Sequence, residues 1–273
     1  MSTAATMVER PPPQVRGWPR SRIIGYALVG LWIIFGLGIV AYLVSAWNPA
    51  FFAKYAPAYL QGLGVTLSLV AISMVLGAIL SLPVAYGRMS KNQVLSGLAY
   101  CYVYFFRGTP LLVQTYLVYY GLGSFRSELE MVGLWDFFKN AFNCGVFAFA
   151  LNTAAYQAEI LRGAIESVPR GQWEGAASLG LHRLQTLRKI ILPQALIVAL
   201  RPYGNELILM IKASAIVAII TVYDLMGMAK LAYANSFDIQ AYIWVAIVYL
   251  LIVEVLRHGV EWIERRITIH LKR

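Results

Sequence analysis

Long runs of apolar residues alternate along this chain with short segments that hold nearly all of its charge. Residues 23–46 and 55–87 carry no charged side chain, and 92–120 carries only Arg107. Residues 142–158 are uncharged, 190–223 is interrupted by Arg201, Glu206 and Lys212, and 239–253 is a shorter uncharged run. A bilayer crossing takes about 20 apolar residues as a helix. The pattern predicts an all-α integral membrane protein with about six transmembrane helices. The runs lack the strict alternation of a transmembrane barrel strand.

Composition agrees: 59% of residues are hydrophobic and 13% charged, against about a quarter charged in soluble domains. The run at 23–46 has a basic flank, as a signal peptide would. At 24 residues it exceeds the about 7–15 of a signal h-region, so it is expected to stay as a span. Residues 1–22, with Pro11, Pro12 and Pro13, read as a disordered cytoplasmic tail.

The net charge of +10 invites a nucleic-acid reading, and its distribution excludes one. With the amino terminus inside, the cytoplasmic segments hold sixteen basic residues and the outer loops four: Lys54, Arg126, Lys139 and Lys230. That is the positive-inside bias, and it puts both termini of a multi-pass membrane protein in the cytoplasm. A nucleic-acid surface would gather its basic residues on one face. Cys101 and Cys144 lie in or beside apolar segments, where a structural disulfide is not expected. His182, His258 and His270 have no zinc-ligand spacing, and no catalytic triad is visible. No phosphate-binding Gly-Lys loop occurs either, so ATP hydrolysis in any machine containing this chain belongs to another chain. No internal repeat supports a stand-alone inverted-repeat transporter.

The segment 162–193 breaks the apolar pattern. It is charged, rich in small residues, and lies between two spans. Ser167 as N-cap, Pro169 in the first turn and Gly180 as the residue past the end predict a helix of about three turns. Trp173, Ala176 and Gly180 share one face by spacing, with Glu174 on the neighbouring face. Leu184, Leu187 and Ile191 recur at helical spacing, and Pro193 stands where the next span begins. This describes a cytoplasmic helical hairpin attached to a membrane helix; an interfacial connector is the alternative.

The spacing from Glu174, Gly175 and Ala176 through Gly180 to Ile190, Leu192 and Pro193 resembles the EAA loop of ABC importer permeases. Gly175 departs from the motif by replacing its first alanine. From about residue 59 onward the chain resembles the polar amino acid branch of these permeases. The run from Gly62 to Ser68 is similar to the start of the branch's core. Phe106, Arg107, Gly108, Thr109 and Pro110 match its FRGTP element. The stretch from Leu151 to Ile160 is similar to the approach to the EAA loop, and Asn205 with Glu206 to an Asn-Glu element. The resemblance is nearest to the M-type subunits of basic amino acid, octopine and nopaline permeases, as in binding-protein-dependent type I importers.

The resemblance implies a five-helix permease core at 59–257, with an extra N-terminal helix at 23–46 and a cytoplasmic tail at 258–273. It implies two copies of an ABC ATPase subunit, which bind ATP and magnesium. It also implies a second permease subunit, of the Q type or a second copy, and a periplasmic amino acid-binding protein. No cofactor is expected in this chain. Glu174, Gly175, Ala176, Gly180, Leu192 and Pro193 would couple to the ATPase. The expected cargo is polar, and basic or opine in type. A permease for glutamate or glutamine is the alternative, and an ion-coupled transporter working alone a more distant one.

Ionisable groups at membrane depth face the protein interior or a wet cavity. Glu206, with Asn205 beside it, is the candidate holder of a cationic substrate group, or else a structural partner of Arg201 or Lys212. Asn152, Thr153 and Tyr156 share a helix face and are expected to line the same path, or to serve as interhelical hydrogen-bond glue. The Arg107–Pro110 stretch reads as an elbow near the cytoplasmic side, a packing turn without substrate contact.

Overall fold

A computed structural model describes residues 19–269. Among them it is all helical. The chain divides into two compact units, 1–51 and 52–273.

The first unit holds helix α1, Arg20–Ser45. It begins three residues before the apolar run, after Pro19, whose fixed φ suits a helix entry. Most of the predicted N-terminal tail, residues 1–18, lies outside the described residues. Nearly every α1 side chain is exposed, as suits a helix whose surroundings are apolar.

Helix α2, Pro49–Arg88, lies almost wholly in the second unit and is 40 residues long. A four-residue link capped by Asn92 leads to α3, Gln93–Gly108. The apolar run at 92–120 is not one continuous helix. Thr109 is extended before Pro110, as the proline ring demands of its predecessor. The chain resumes as α4, Leu111–Tyr116, and a π-helical stretch, Leu117–Gly121. Two short helices follow, α5 (Arg126–Met131) and α6 (Trp135–Phe138), then the long α7, Ala141–Glu166.

The loop region comprises α8, Arg170–Ser178, and α9, Arg183–Thr186. A π-helical stretch at Leu187–Ile191 runs into α10, Leu192–Ala213, which continues as a 3-10 helix, Ser214–Ile220. The last elements are α11, Leu225–Ser236, and α12, Gln240–Ile267. α12 passes through 257/258 without a break, so the stretch read as a carboxyl tail is mostly helix, clasped by ion pairs from Arg257 to Glu254 and Glu261.

Four helices among the described residues are long and apolar enough to cross a membrane: Arg20–Ser45, Pro49–Arg88, Arg183–Ile220 and Gln240–Ile267. The elbow shortens α3, and α7 carries Asn143, Asn152, Thr153 and Gln157 inside its run. α7 is the centre of the second unit. One apolar cluster joins Phe149 to Leu69, Met210, Ile211 and Val217. A second joins Ala158, Leu161, Ala164 and Ile165 to Ala85, Ile191, Ala195 and Ala199. The abundance of alanine lets helix backbones approach, which in lipid is what replaces a hydrophobic driving force.

Gly77 shows how close that approach is. A Cβ built there would overlap Thr153 Cγ2 and stand 3.0 Å from Gln157 Nε2. Gly77→Val should therefore cost about 1–3 kcal/mol through overpacking. The expected outcome is a lower yield of folded protein and a lower melting temperature in detergent, by fluorescence-detected size exclusion after heating. Wild-type thermal behaviour would show that α2 and α7 can part without penalty.

Candidate functional site

Two places in the second unit carry the predicted residues. The first is the charged loop. α8 starts after Pro169, without a side-chain cap. Ser167 is not its N-cap: it closes α7 instead, donating its hydroxyl to the Ala164 carbonyl at 2.7 Å. The far end of α8 is a Schellman turn. Gly180 has φ +72°; its N–H donates to the Ala177 carbonyl at 2.9 Å, and that of Leu181 to Ala176 at 3.1 Å. Glycine takes this left-handed conformation without a Cβ penalty.

The expected shared face of Trp173, Ala176 and Gly180 divides in the fold. Ala176 is buried, and Trp173 packs on the cluster holding Ile191, Ala195 and Ala164. Leu192 packs on that cluster too. These residues hold the loop to its own chain. Glu174, Gly175 and Gly180 are exposed, as is Pro193 in the first turn of α10. A Cβ at Gly175 would meet nothing within 4 Å, so its departure from alanine relieves no contact within this chain. Leu179, 79% exposed beside Gly180, had not been singled out. The sequence signal for it is a lone leucine at the end of a charged helix.

His182 and Gln185 cap α9 reciprocally. From Arg183 the helix is continuous to Ile220 and is long and apolar enough to cross a membrane, so the loop adjoins one end of a candidate span. The start of the loop is tied as well. Arg88 at the end of α2 pairs with Glu159 at 2.8 Å, Arg162 pairs with Glu159 at 2.7 Å, and Arg162 pairs with Glu166 at 2.7 Å.

The second place is a polar cluster about four turns into α10. Glu206 is buried, and its Oε1 accepts a hydrogen bond from Thr153 Oγ1 at 2.9 Å. Gln157 Nε2 donates to Thr153 Oγ1 at 3.2 Å and to the Met74 carbonyl at 3.2 Å, so α2, α7 and α10 meet here. Neither of the partners first considered for Glu206 engages it. Arg201 turns outward and pairs with Glu264 at 2.7 Å, and Lys212 is exposed.

Asn205 is exposed, because neighbours on a helix point about 100° apart. Asn152 is buried and serves the elbow: its Nδ2 donates to the Phe106 carbonyl at 2.9 Å and to Gln114 Oε1 at 3.0 Å. Gln114 Nε2 in turn donates to the carbonyls of Phe106 and Thr109. The elbow thus stands level with Asn152, well inside the length of α7. Of the residues read as path-lining, Tyr156 borders an open groove. This groove of about 420 Å³ is lined also by Arg107, Glu159, Val198 and Pro202. It runs from the level of the elbow toward the Arg88–Glu159–Arg162 ion pairs. Both cysteines are free thiols, Cys101 exposed and Cys144 buried. Among the described residues no group of three or more metal-ligating side chains occurs.

Helices of this kind and order occur in known transport proteins. A crystal structure of an amino acid ABC transporter with histidines aligns over 80% of this chain and 98% of its own, with TM-score 0.71 and 35% identity. The MetNI methionine ABC transporter shares the fold at TM-score 0.65 and 20% identity, over 77% of this chain and 96% of that one. By sequence, the nopaline transport system permease protein NocM of Agrobacterium fabrum is 42% identical over 210 residues, 76% of this chain and 87% of that protein. The arginine ABC transporter permease protein ArtM of Escherichia coli K12 is 35% identical over 213 residues, 78% of this chain and 96% of that protein. Residues 73–269 match the family described as the inner membrane component of binding-protein-dependent transport systems. The chain belongs to that family: it is a membrane permease subunit of an ABC importer, not an enzyme, with the ATPase on a separate chain.

Proposed function

We propose that this subunit carries basic amino acids or their opine derivatives across the bacterial inner membrane, with Glu206 holding the cationic group of the cargo. The observation that carries the reading is a buried carboxylate at membrane depth with Thr153 as its hydrogen-bond donor. Burying a charge costs several kcal/mol unless it is matched, and a passing ammonium or guanidinium matches it. Relatives named for nopaline, octopine and arginine transport support the same cargo class.

The working assembly has two permease subunits, this chain with a Q-type partner or with a second copy, two ATPase subunits and a periplasmic binding protein. ATP and magnesium sit on the ATPase, and this chain needs no cofactor of its own. Closure of the ATPase pair presses on Glu174, Gly175, Leu179 and Gly180. The continuous 183–220 helix carries that movement to Glu206. The core at 59–257 supplies five spans, α1 a sixth, and both termini face the cytoplasm.

Two experiments test this. Proteoliposomes holding the chain with its co-purified subunits should take up arginine, histidine, octopine or nopaline only with binding protein and ATP. Uptake restricted to acidic or neutral amino acids would overturn the cargo assignment. For topology, the sixteen-to-four basic asymmetry predicts that a reporter active only in the cytoplasm works both near Arg10 and after Arg273. Activity at one end alone would exclude an even number of spans.

A further inference from the structure

Arg107 stands in the last turn of α3 and lines the groove. The sequence reads the Arg107–Pro110 stretch as a packing turn, and for the Arg107 side chain the packing contact is one aromatic ring. Its guanidinium lies over the Tyr156 ring, 5.1 Å from the centroid, an arrangement that leaves the N–H edges of the fork free. The other charged group on the groove, Glu159, is already committed to Arg88 and Arg162. Arg107 is thus the one charged side chain lining this groove that forms no ion pair among the described residues.

Its backbone is firmly placed. The carbonyl of the preceding residue, Phe106, accepts from Asn152 at 2.9 Å and from Gln114 at 3.0 Å. Asn152 and Gln114 therefore fix the backbone from which the arginine projects. Asn152, which holds the Phe106 carbonyl, is next in the chain to Thr153, which holds Glu206, so the elbow that carries Arg107 and the Glu206 cluster are anchored on adjacent residues of α7. An arginine that stays charged at membrane depth calls for an anion or water, and its planar fork fits a carboxylate by two parallel hydrogen bonds.

The geometry points to Arg107 as the residue that binds the carboxylate of the cargo, held over Tyr156 at the groove while Glu206 takes the cationic group. This rests on the reading of Glu206 given above and extends it: the permease itself recognises a molecule with both a carboxylate and a cation. Opines, with additional carboxylates, meet the same requirement.

The test separates the two charges. The complete permease–ATPase complex, in nanodiscs without binding protein, is titrated with arginine, arginine methyl ester and citrulline in competition with radiolabelled arginine. Wild type should hold arginine about ten- to a hundredfold more tightly than its ester, the range of one charged hydrogen-bonded contact. Arg107→Gln should erase that preference, and Arg107→Lys should keep part of it. Because the readout is a ratio within assembled complexes, reduced yield of a variant does not imitate it.

Glu206→Gln should leave the acid-over-ester ratio intact and lose the preference for arginine over citrulline. Equal binding of acid and ester by wild type, or an unchanged ratio in Arg107→Gln, overturns the assignment of Arg107. An unchanged arginine-to-citrulline ratio in Glu206→Gln, with the ester effect retained, overturns the reading of Glu206 and spares that of Arg107. No saturable binding of any of these ligands by wild type overturns both.

Discussion

Gly180→Trp should abolish ATP-driven uptake while the permease still reaches the membrane in normal amounts. Two effects act together. At φ +72° any residue with a Cβ is strained by about 1–2 kcal/mol, which loosens the Schellman turn that ends α8. The indole then projects from the exposed side of the loop, where a Cβ meets nothing within 4 Å of this chain but would meet a docked ATPase.

Gly180→Asn separates the two effects, because asparagine tolerates the left-handed region and adds little bulk. The expected order of ATPase retention on an affinity column is wild type, then Asn, then a near-complete loss with Trp. Leu179→Ala should lower retention too, since a leucine 79% exposed on a charged loop has apolar surface to bury against a partner. Full retention and normal uptake in Gly180→Trp would leave the loop a mere connector.

Which parts of this were legible in the sequence follows from where the deciding contacts lie. Gly180 was legible because a C′ glycine is a local necessity of the backbone. Pro193 at the start of α10 was legible for the same kind of reason. Ser167 misled because the N-cap preference is also local, and it lost to a contact at the end of the preceding helix: its hydroxyl bonds back to Ala164.

The division of the α8 face was not legible. Ala176 and Gly180 have the same spacing whether they face a partner or their own chain, and only the packing of Trp173 on the Ile191 cluster decides it. Inside the membrane the limit is similar. Adjacent residues Asn205 and Glu206 form one motif in the sequence but stand on different faces of α10. The proline at 110 announces an elbow, yet the depth at which Arg107 emerges depends on Asn152 and Gln114, distant in sequence and joined only by folding.

Glu206→Gln is expected to leave the complex assembled and to reduce uptake of arginine or histidine by about ten- to a hundredfold, the range for losing one charged hydrogen-bonded contact. Assembly should survive because the amide keeps what the fold uses. Its oxygen still accepts from Thr153 Oγ1, now at 2.9 Å from the carboxylate, and the side chain keeps its size at a crowded junction of α7 and α10. No salt bridge is broken: Arg201 is held by Glu264, so the replacement strands no buried cation. What disappears is the negative charge that a guanidinium or ammonium would meet on its way through. ATP hydrolysis stimulated by the binding protein should persist, because the loop contacts lie beyond the start of the 183–220 helix, about six turns from Glu206. The measurement pairs complex yield and melting temperature with uptake of cationic and neutral amino acids. Normal uptake of cationic cargo by an intact Glu206→Gln complex would remove Glu206 from recognition. A complex that fails to assemble would instead place the carboxylate in the architecture of the α7–α10 contact, and Thr153→Val, which removes its hydrogen-bond donor, should then fail in the same way.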